Sequence, residues 1–347
     1  LPIASLVGNA GRGPALDMSL SYSAERFIDF GNWALNLSYC RVTKENGTCS
    51  GELYIGNESK KIDISLKIEP TDTSISTYAS HYKITPLHLN DLSKGLKIVR
   101  SNGTTEILEP YASCMPKTVQ NHFYLVPVKI FTKLGFSLTL SWEMHQATPQ
   151  YNVPRLIAIA DEQKTLFTVT YNADNAVMDV YPGSDYSLRH DIKIDNKQLT
   201  EISLSAPNTQ VSTKTFTYST TSGMLDNFKV MSISDSCGLA TELKYDDFNK
   251  VIEKNDILST DNPCTTTYSY EHNPERTTVR TVAEPIKTSI FEYDNDYTLK
   301  KITSYLNDDT NYTTTTTFQN SEMEISTQTY YPVSYTHLRA HETAANL

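Results

Sequence analysis

The sequence predicts an all-β protein made of antiparallel hairpin repeats, and three observations carry that prediction. A tyrosine-centred unit returns along the second half of the 347-residue chain. Other stretches alternate apolar and polar residues with a period of two, the mark of half-buried strands. Composition agrees: Tyr (22) is twice as common as Phe (11), and Thr and Ser are plentiful where Ala is scarce, which favours strand over helix. Helix is expected in well under about a tenth of the residues, against an ordinary share of about a third.

The repeat is Tyr293-Asp294-Asn295-Asp296-Tyr297-Thr298-Leu299-Lys300. Tyr245-Asp246-Asp247-Phe248-Asn249-Lys250-Val251 matches it at the Tyr, the Asp and the closing aliphatic residue, and Tyr171-Asn172-Ala173-Asp174-Asn175-Ala176-Val177 is a looser copy. Tyr218 and Tyr270 fill the gaps, giving steps of 27, 25 and 23 residues from Tyr218 to Tyr293. A period in this range points to a repeat architecture. As a hairpin, the unit has a strand ending in Tyr, a polar turn and an apolar return strand. The Asp or Asn after the Tyr can accept hydrogen bonds from turn N–H groups. Asn175 and Asn249 occupy the position expected to need a positive φ. Tyr171, Tyr245 and Tyr293 are expected near turns, each ring stacked on a neighbouring hairpin with its hydroxyl at the solvent edge.

Earlier in the chain, Leu16, Met18, Leu20 and Tyr22 alternate with polar residues, as do Trp33, Leu35, Leu37 and Tyr39. Ile62 to Ile68 and Phe136 to Trp142 do the same, and Asn46-Gly47 and Asn102-Gly103 are hairpin turns. Trp33 is assigned to the core, and Trp142 is the second structural aromatic. Pro149 and Pro154 mark a soft boundary. The expected organisation is an N-terminal β region over 1–150, a hairpin-repeat region over 151–332 with Thr313 to Thr317 as a strand, and a tail over 333–347.

These features resemble YD repeats, whose pattern is roughly Tyr-Asp-x-x-Gly-Arg-Leu. They occur in Rhs proteins, the C components of Tc insecticidal toxin complexes, wall-associated proteins and teneurins. Here Asn249 and Tyr297 stand at the Gly position, and Lys250 and Thr298 at the Arg position. The run from Gly13-Pro14 to Tyr22, followed by Gly31-Asn32-Trp33-Ala34-Leu35, is similar to the opening of an Rhs module. Leu96 to Leu108 is similar to the segment that follows that opening. The resemblance spans residues 1–331. It implies a stretch of a hairpin ribbon coiled into a hollow cocoon, which encloses a toxic C-terminal domain until delivery. The implied partners are that domain, further YD repeats and a toxin-complex B-like protein, in a secreted or cell-surface setting.

Val333 to Thr343 resembles a translation of the transposase adapter used in sequencing libraries, so 333–347 is set aside as a non-native tail. The chain is accordingly expected to begin and end inside a longer reading frame.

A net charge of −10 with scattered Lys and Arg argues against nucleic acid as a partner. No window of about eighteen apolar residues suggests a membrane-spanning helix. The five cysteines show no C-x-x-C spacing; a Cys40–Cys49 or Cys237–Cys264 bridge stays open, since sequence does not fix connectivity. With a two-residue turn at Asn46-Gly47, Cys49 would face Lys44 instead of Cys40. The Gly-rich run from Gly8 to Pro14 leads into a strand where a phosphate loop needs a helix. Asp294-Asn295-Asp296 lacks the turn Gly and closing Glu of a calcium loop, and Asp161-Glu162 is assigned to a polar turn. The histidines lack metal spacing. No catalytic residue, metal or cofactor is therefore assigned, and the chain is expected to be non-enzymatic. Two other classes stay in view: a surface adhesion or glycan-binding module using exposed Tyr and Trp, and a polysaccharide-active enzyme, which would need convergent carboxylates.

Overall fold

The computed structural model describes residues 1–22, 30, 33–45, 48–56, 61–65, 82–88, 92–111, 122–148, 151–196, 198–207, 209–219, 229–247, 250–257, 263–273, 276–293, 299–308, 313–318 and 325–330. Among them the chain is all-β and antiparallel. Helix is confined to two three-residue 3-10 turns, Asn9–Gly11 and Leu92–Lys94. Compact units span Leu1–Thr215 and Phe216–Leu347. Sheet pairing runs through the soft boundary expected near residue 150, from Thr139↔Ala160 to Thr148↔Tyr151.

In the first unit, β1 (Pro2–Val7), β2 (Ala15–Tyr22) and β3 (Trp33–Leu35) form a small three-stranded sheet. The strand expected over Trp33 to Tyr39 is broken. β3 stops at Leu35 because Asn36 turns its polar groups onto Ser19, its N–H reaching Ser19 O at 3.0 Å and its Oδ1 accepting from Ser19 N at 2.8 Å. The chain then enters a second sheet as β4 (Tyr39–Glu45), β5 (Thr48–Tyr54) and β6 (Lys61–Ser65). Next come β7 (Tyr82–Pro86), β8 (Leu96–Arg100), β9 (Thr105–Tyr111) and β10 (His122–Phe131). β10 is a junction. One edge pairs with β9; the other pairs with β4 over His122–Leu125 and with β11 (Ser137–Thr148) over Lys129–Phe131. The apolar residues of these strands, among them Val42, Leu53, Ile84, Ile98, Leu108 and Leu125, make one buried cluster.

The predicted Asn102-Gly103 turn lies between the paired β8 and β9, whereas Asn46-Gly47, between β4 and β5, lies outside the described residues. Lys44 faces Cys49 and Cys40 faces Leu53, so neither cysteine opposes the other. Cys40, Cys49, Cys237 and Cys264 are free thiols. Burial, with Glu52 nearby, pushes the Cys40 thiol up to about 12, so it stays protonated and acts as a small apolar side chain.

From β11 the ribbon runs in chain order through β12 (Tyr151–Ala160), β13 (Thr165–Tyr171), β14 (Asn175–Val180), β15 (Leu188–Asp195), β16 (Gln198–Ala206) and β17 (Thr209–Tyr218). Its residues alternate between faces as the pleat requires. Val169 and Phe167 on β13, Ala176, Met178 and Val180 on β14, and His190 and Ile192 on β15 are all buried and lie on one face by register. A register shift leaves Leu166 with no opposite residue on β12, since Ile159 faces Phe167 and Ala160 faces Thr165. That bulge explains two adjacent buried residues, Leu166 and Phe167, in a strand that otherwise alternates.

The second unit continues with β18 (Val230–Asp235), β19 (Ala240–Tyr245), β20 (Val251–Ile257), β21 (Pro263–Asn273), β22 (Arg276–Ala283), β23 (Lys287–Tyr293), β24 (Leu299–Leu306), β25 (Thr313–Phe318) and β26 (Ile325–Tyr330). Each pairs with the next, and the threonine run is a strand as expected. Among the described residues of this unit only Phe216, Val230, Thr266 and Thr288 are buried. Most of the rest are half-exposed, as in a single layer of sheet. Such a layer is held by neighbour-to-neighbour contacts, as in other repeat proteins.

Candidate functional site

The feature that recurs in the described residues is a lock between hairpins. Tyr171 ends β13, and its hydroxyl donates to the Leu156 carbonyl at 3.0 Å while the Arg155 guanidinium sits 4.6 Å from the ring centre. Tyr245 ends β19; it donates to Val230 O at 2.7 Å under Lys229 at 5.6 Å. Tyr270 in β21 repeats the arrangement with Val251 O at 2.7 Å and Lys250 at 5.1 Å. In each case a cation and the aliphatic residue after it lie in or at the start of one strand, and the tyrosine of the next strand reaches back to both. The ring takes the cation on its negative face, and the hydroxyl, expected at the solvent edge, instead satisfies a part-buried carbonyl.

This pairing rule was missed from the sequence, although its signal was present. Arg155-Leu156, Lys229-Val230 and Lys250-Val251 each precede their tyrosine, the aliphatic residue by 15, 15 and 19 positions respectively. Cross-strand pairs in register reinforce the ribbon: Lys193–Glu201 at 2.7 Å, Lys244–Glu253 at 2.8 Å and Lys301–Glu292 at 2.7 Å. Directly opposed hydroxyls do the same at Ser203–Thr213, 3.1 Å, and Ser289–Ser304, 2.9 Å.

The turn residues behave less uniformly. Asp246 accepts from Lys250 N at 2.8 Å, as expected for the residue after the tyrosine. Asp161 and Asp235 use the same device in turns without a preceding tyrosine, on Lys164 N at 2.8 Å and Leu239 N at 3.0 Å. Asn175 departs from expectation. It is already the first residue of β14 and is not among the positive-φ residues, because Asn172 N–H closes the turn onto Asn175 O at 2.8 Å. The left-handed asparagine of the ribbon is Asn196, with φ 49°, between β15 and β16. Tyr293 ends β23 opposite Leu299, whereas Asn249 and Asp294 lie outside the described residues.

Trp33 is 4% exposed and packs on Tyr22, ring centres 5.4 Å apart, in keeping with a core role. Trp142 donates from Nε1 to Pro127 O at 2.8 Å and accepts at its carbonyl from the Tyr111 hydroxyl at 3.0 Å. It helps wall an apolar cavity of about 40 Å³ with Leu37, Tyr39, Tyr124, Val153 and Leu156. No charged side chain lines that space. Among the described residues no group of three or more His, Cys, Asp or Glu could hold a metal ion, and no helix is long and apolar enough to cross a membrane.

Burial pushes the Tyr245 hydroxyl up to about 12. The folded protein therefore holds this proton where the unfolded chain loses it, and stability falls as pH rises from about 10 to about 12. Tyr245→Phe is expected to cost about 1 kcal/mol at neutral pH through the lost bond to Val230 and to flatten part of that alkaline loss. Equilibrium denaturation at pH 7 and pH 10.5 checks both.

No family model matches the sequence, and no curated protein matches it. Among solved structures, the chain is similar to the Photorhabdus luminescens Tc holotoxin pore with the TccC3 D651A mutation, at 11% identity and a TM-score of 0.27, over 90% of this chain and 19% of that one. It is also similar to TcdB2-TccC3 without its hypervariable C-terminal region, at 11% identity and TM-score 0.26, over 81% and 20% of the two chains. A third similarity is to TcdB2-TccC3-Cdc42, at 10% identity and TM-score 0.27, over 90% and 19%. The chain spans about one fifth of the length of these proteins.

Proposed function

We propose that this chain is a non-enzymatic stretch of the wall of a secreted or cell-surface container of the Rhs type. The observation that supports this reading is the lock itself: in the second unit a single layer of sheet is tied hairpin to hairpin by Tyr245 on Val230 and Tyr270 on Val251. A wall needs lateral continuity and polar faces more than a thick core, and this device supplies continuity without a second layer. The proposed partners are a toxic C-terminal domain, further YD repeats and a B-like component of a toxin complex. A glycan-binding role fits less well. The rings of Tyr171, Tyr245 and Tyr270 already carry cations, so a sugar would have to displace Arg155, Lys229 or Lys250 to stack there.

The test uses the uninterrupted gene read to its true stop codon. Protease treatment of the full-length protein should spare a C-terminal domain that is digested rapidly when expressed alone. Equal digestion rates in the two settings would overturn the container reading. Saturable binding to a defined glycan, lost on replacing Tyr186, which is 73% exposed, would put the adhesion reading ahead.

A further inference from the structure

One edge of β1 is held by side chains of the ribbon instead of by a strand. His190 Nε2 on β15 bonds the Ile3 carbonyl at 3.1 Å. The Tyr181 hydroxyl, just past β14, accepts from Val7 N at 3.0 Å and donates to Ser5 O at 3.3 Å. The Asp161 carboxylate, just past β12, accepts from Asn9 N at 2.6 Å. Residues 3, 5 and 7 alternate along β1, so these backbone groups share one edge of the strand, and Asn9 follows in the 3-10 turn just past its end. An edge strand with open N–H and C=O groups invites pairing with other chains; here three side chains occupy it. Tyr181 takes φ 49° to do so, a conformation that costs a bulky residue free energy.

We propose that this seam is an acid-sensitive latch, with His190 as the group that releases β1 from the ribbon when it is protonated. Both partners of the contact are inside: His190 is 4% exposed and Ile3 is 8% exposed. The groups around the imidazole offer little to balance a positive charge. By register Met178 lies opposite on β14 and Leu204 on β16, both uncharged. β1 brings Pro2, Ile3 and Ala4, and the α-ammonium of Leu1 just before it donates to the Leu20 carbonyl at 2.8 Å, with burial and then Lys214 lowering its pKa. On its own strand Arg189 and Asp191 point to the other face, where they pair with each other at 3.0 Å. Burial accordingly holds the His190 imidazolium below the usual histidine range, with the Ile3 carbonyl and Asp191 opposing only in part.

The sign follows from linkage. Below the ordinary histidine value of about 6.5 the detached state takes up a proton that the docked state resists. Docking therefore weakens as pH falls from about 6.5 toward the depressed value. Asp161 does not share this window. Burial acts to raise its carboxyl, but the N–H groups of Asn9, Gln163 and Lys164 and the Lys164 charge hold it below the ordinary aspartate value. It stays ionised while His190 titrates. His145 on β11 is also lowered, by burial and by Arg155, so a variant is needed to separate the two.

The experiment is amide hydrogen exchange of the peptide spanning residues 2–9 at pH 7.5 and pH 5.5, corrected for intrinsic rate, on the whole chain. In the wild type, protection should fall about threefold or more at the lower pH. His190→Gln keeps an N–H donor without a titrating group, and its protection should be the same at both values. Tyr181→Phe should lower protection by a similar factor at both, because the phenol does not titrate there. A pH-dependent loss of equal size in wild type and His190→Gln would overturn the proposal, as would no loss in the wild type. Should His190→Gln not fold, the NMR titration of His190 in the wild type decides. Its midpoint must coincide with the loss of protection at residues 2–9, and a midpoint elsewhere overturns the latch.

Discussion

Gly95→Ala is expected to destabilise the protein by about 3 kcal/mol or more. Gly95 sits between the 3-10 turn at Leu92–Lys94 and β8 with φ +120°, where L side chains do not go. A methyl group there would meet the Leu108 carbonyl oxygen at 2.5 Å and Leu87 Cδ1 at 2.7 Å. The backbone has no room to yield. Gly95 N–H bonds Leu92 O at 3.2 Å and its carbonyl accepts from Leu87 N at 2.9 Å, while Leu92, Leu96 and Leu108 belong to the buried cluster. Urea denaturation should show a lower midpoint with an unchanged slope. Gly135→Ala is the control: it has the same sign of φ, +88°, but nothing within 4 Å of the added methyl. It should lose only the conformational part, about 1 kcal/mol. Equal losses in the two variants would show that the close approach at Gly95 contributes nothing.

Much of the fold was legible because period-two patterning reports burial on one face. Leu16 to Tyr22 and Phe136 to Trp142 were located from that pattern, and the Asn102-Gly103 turn from its dipeptide. The tyrosine spacing was legible for a related reason. Tyr171, Tyr245 and Tyr293 each close a strand that pairs with the next one in the chain, and Tyr218 also closes a strand, so the repeat length is the length of a hairpin. What escaped was everything set by register. The cation over each ring lies in or just before the preceding strand, and a short local window does not hold both residues. The bulge at Leu166 was hidden for the same reason, since a lone extra residue leaves no mark in a stretch of Thr, Leu and Phe. The grip of His190, Tyr181 and Asp161 on β1 joins residues separated by 187, 174 and 152 positions, beyond the reach of any periodicity. Asn175 shows the opposite failure. A turn rule borrowed from the repeat pattern asked for a left-handed residue, but this copy closes its loop one position earlier.

Phe167→Ala should be the most costly change in the ribbon, about 3–5 kcal/mol. Phe167 is fully buried in β13, between Ile159 on β12 and Val180 on β14, which are 0% and 2% exposed. A single sheet cannot bury a phenylalanine by itself, so another layer must cover this face. The β1–β3 sheet supplies that layer. Ile3 reaches His190, Phe30 stacks on Tyr171 with ring centres 5.7 Å apart, and Gly8 lies so close that an added methyl would be 2.7 Å from Leu138 Cδ2. Removing the ring leaves a cavity that the surrounding residues can fill only in part, which adds to the lost transfer energy. Thermal and urea denaturation measure the loss. The same variant should expose residues 2–9 to faster amide exchange, because the cavity opens beneath the covering sheet. Thr168→Ala, on the half-exposed side of the same strand, should stay within about 0.5 kcal/mol of wild type. A cost under about 1 kcal/mol at Phe167 would mean that the face stands open and that β1–β3 contributes little packing there. The acid latch would then be guarding a contact of small energetic weight, and both assignments would fall together.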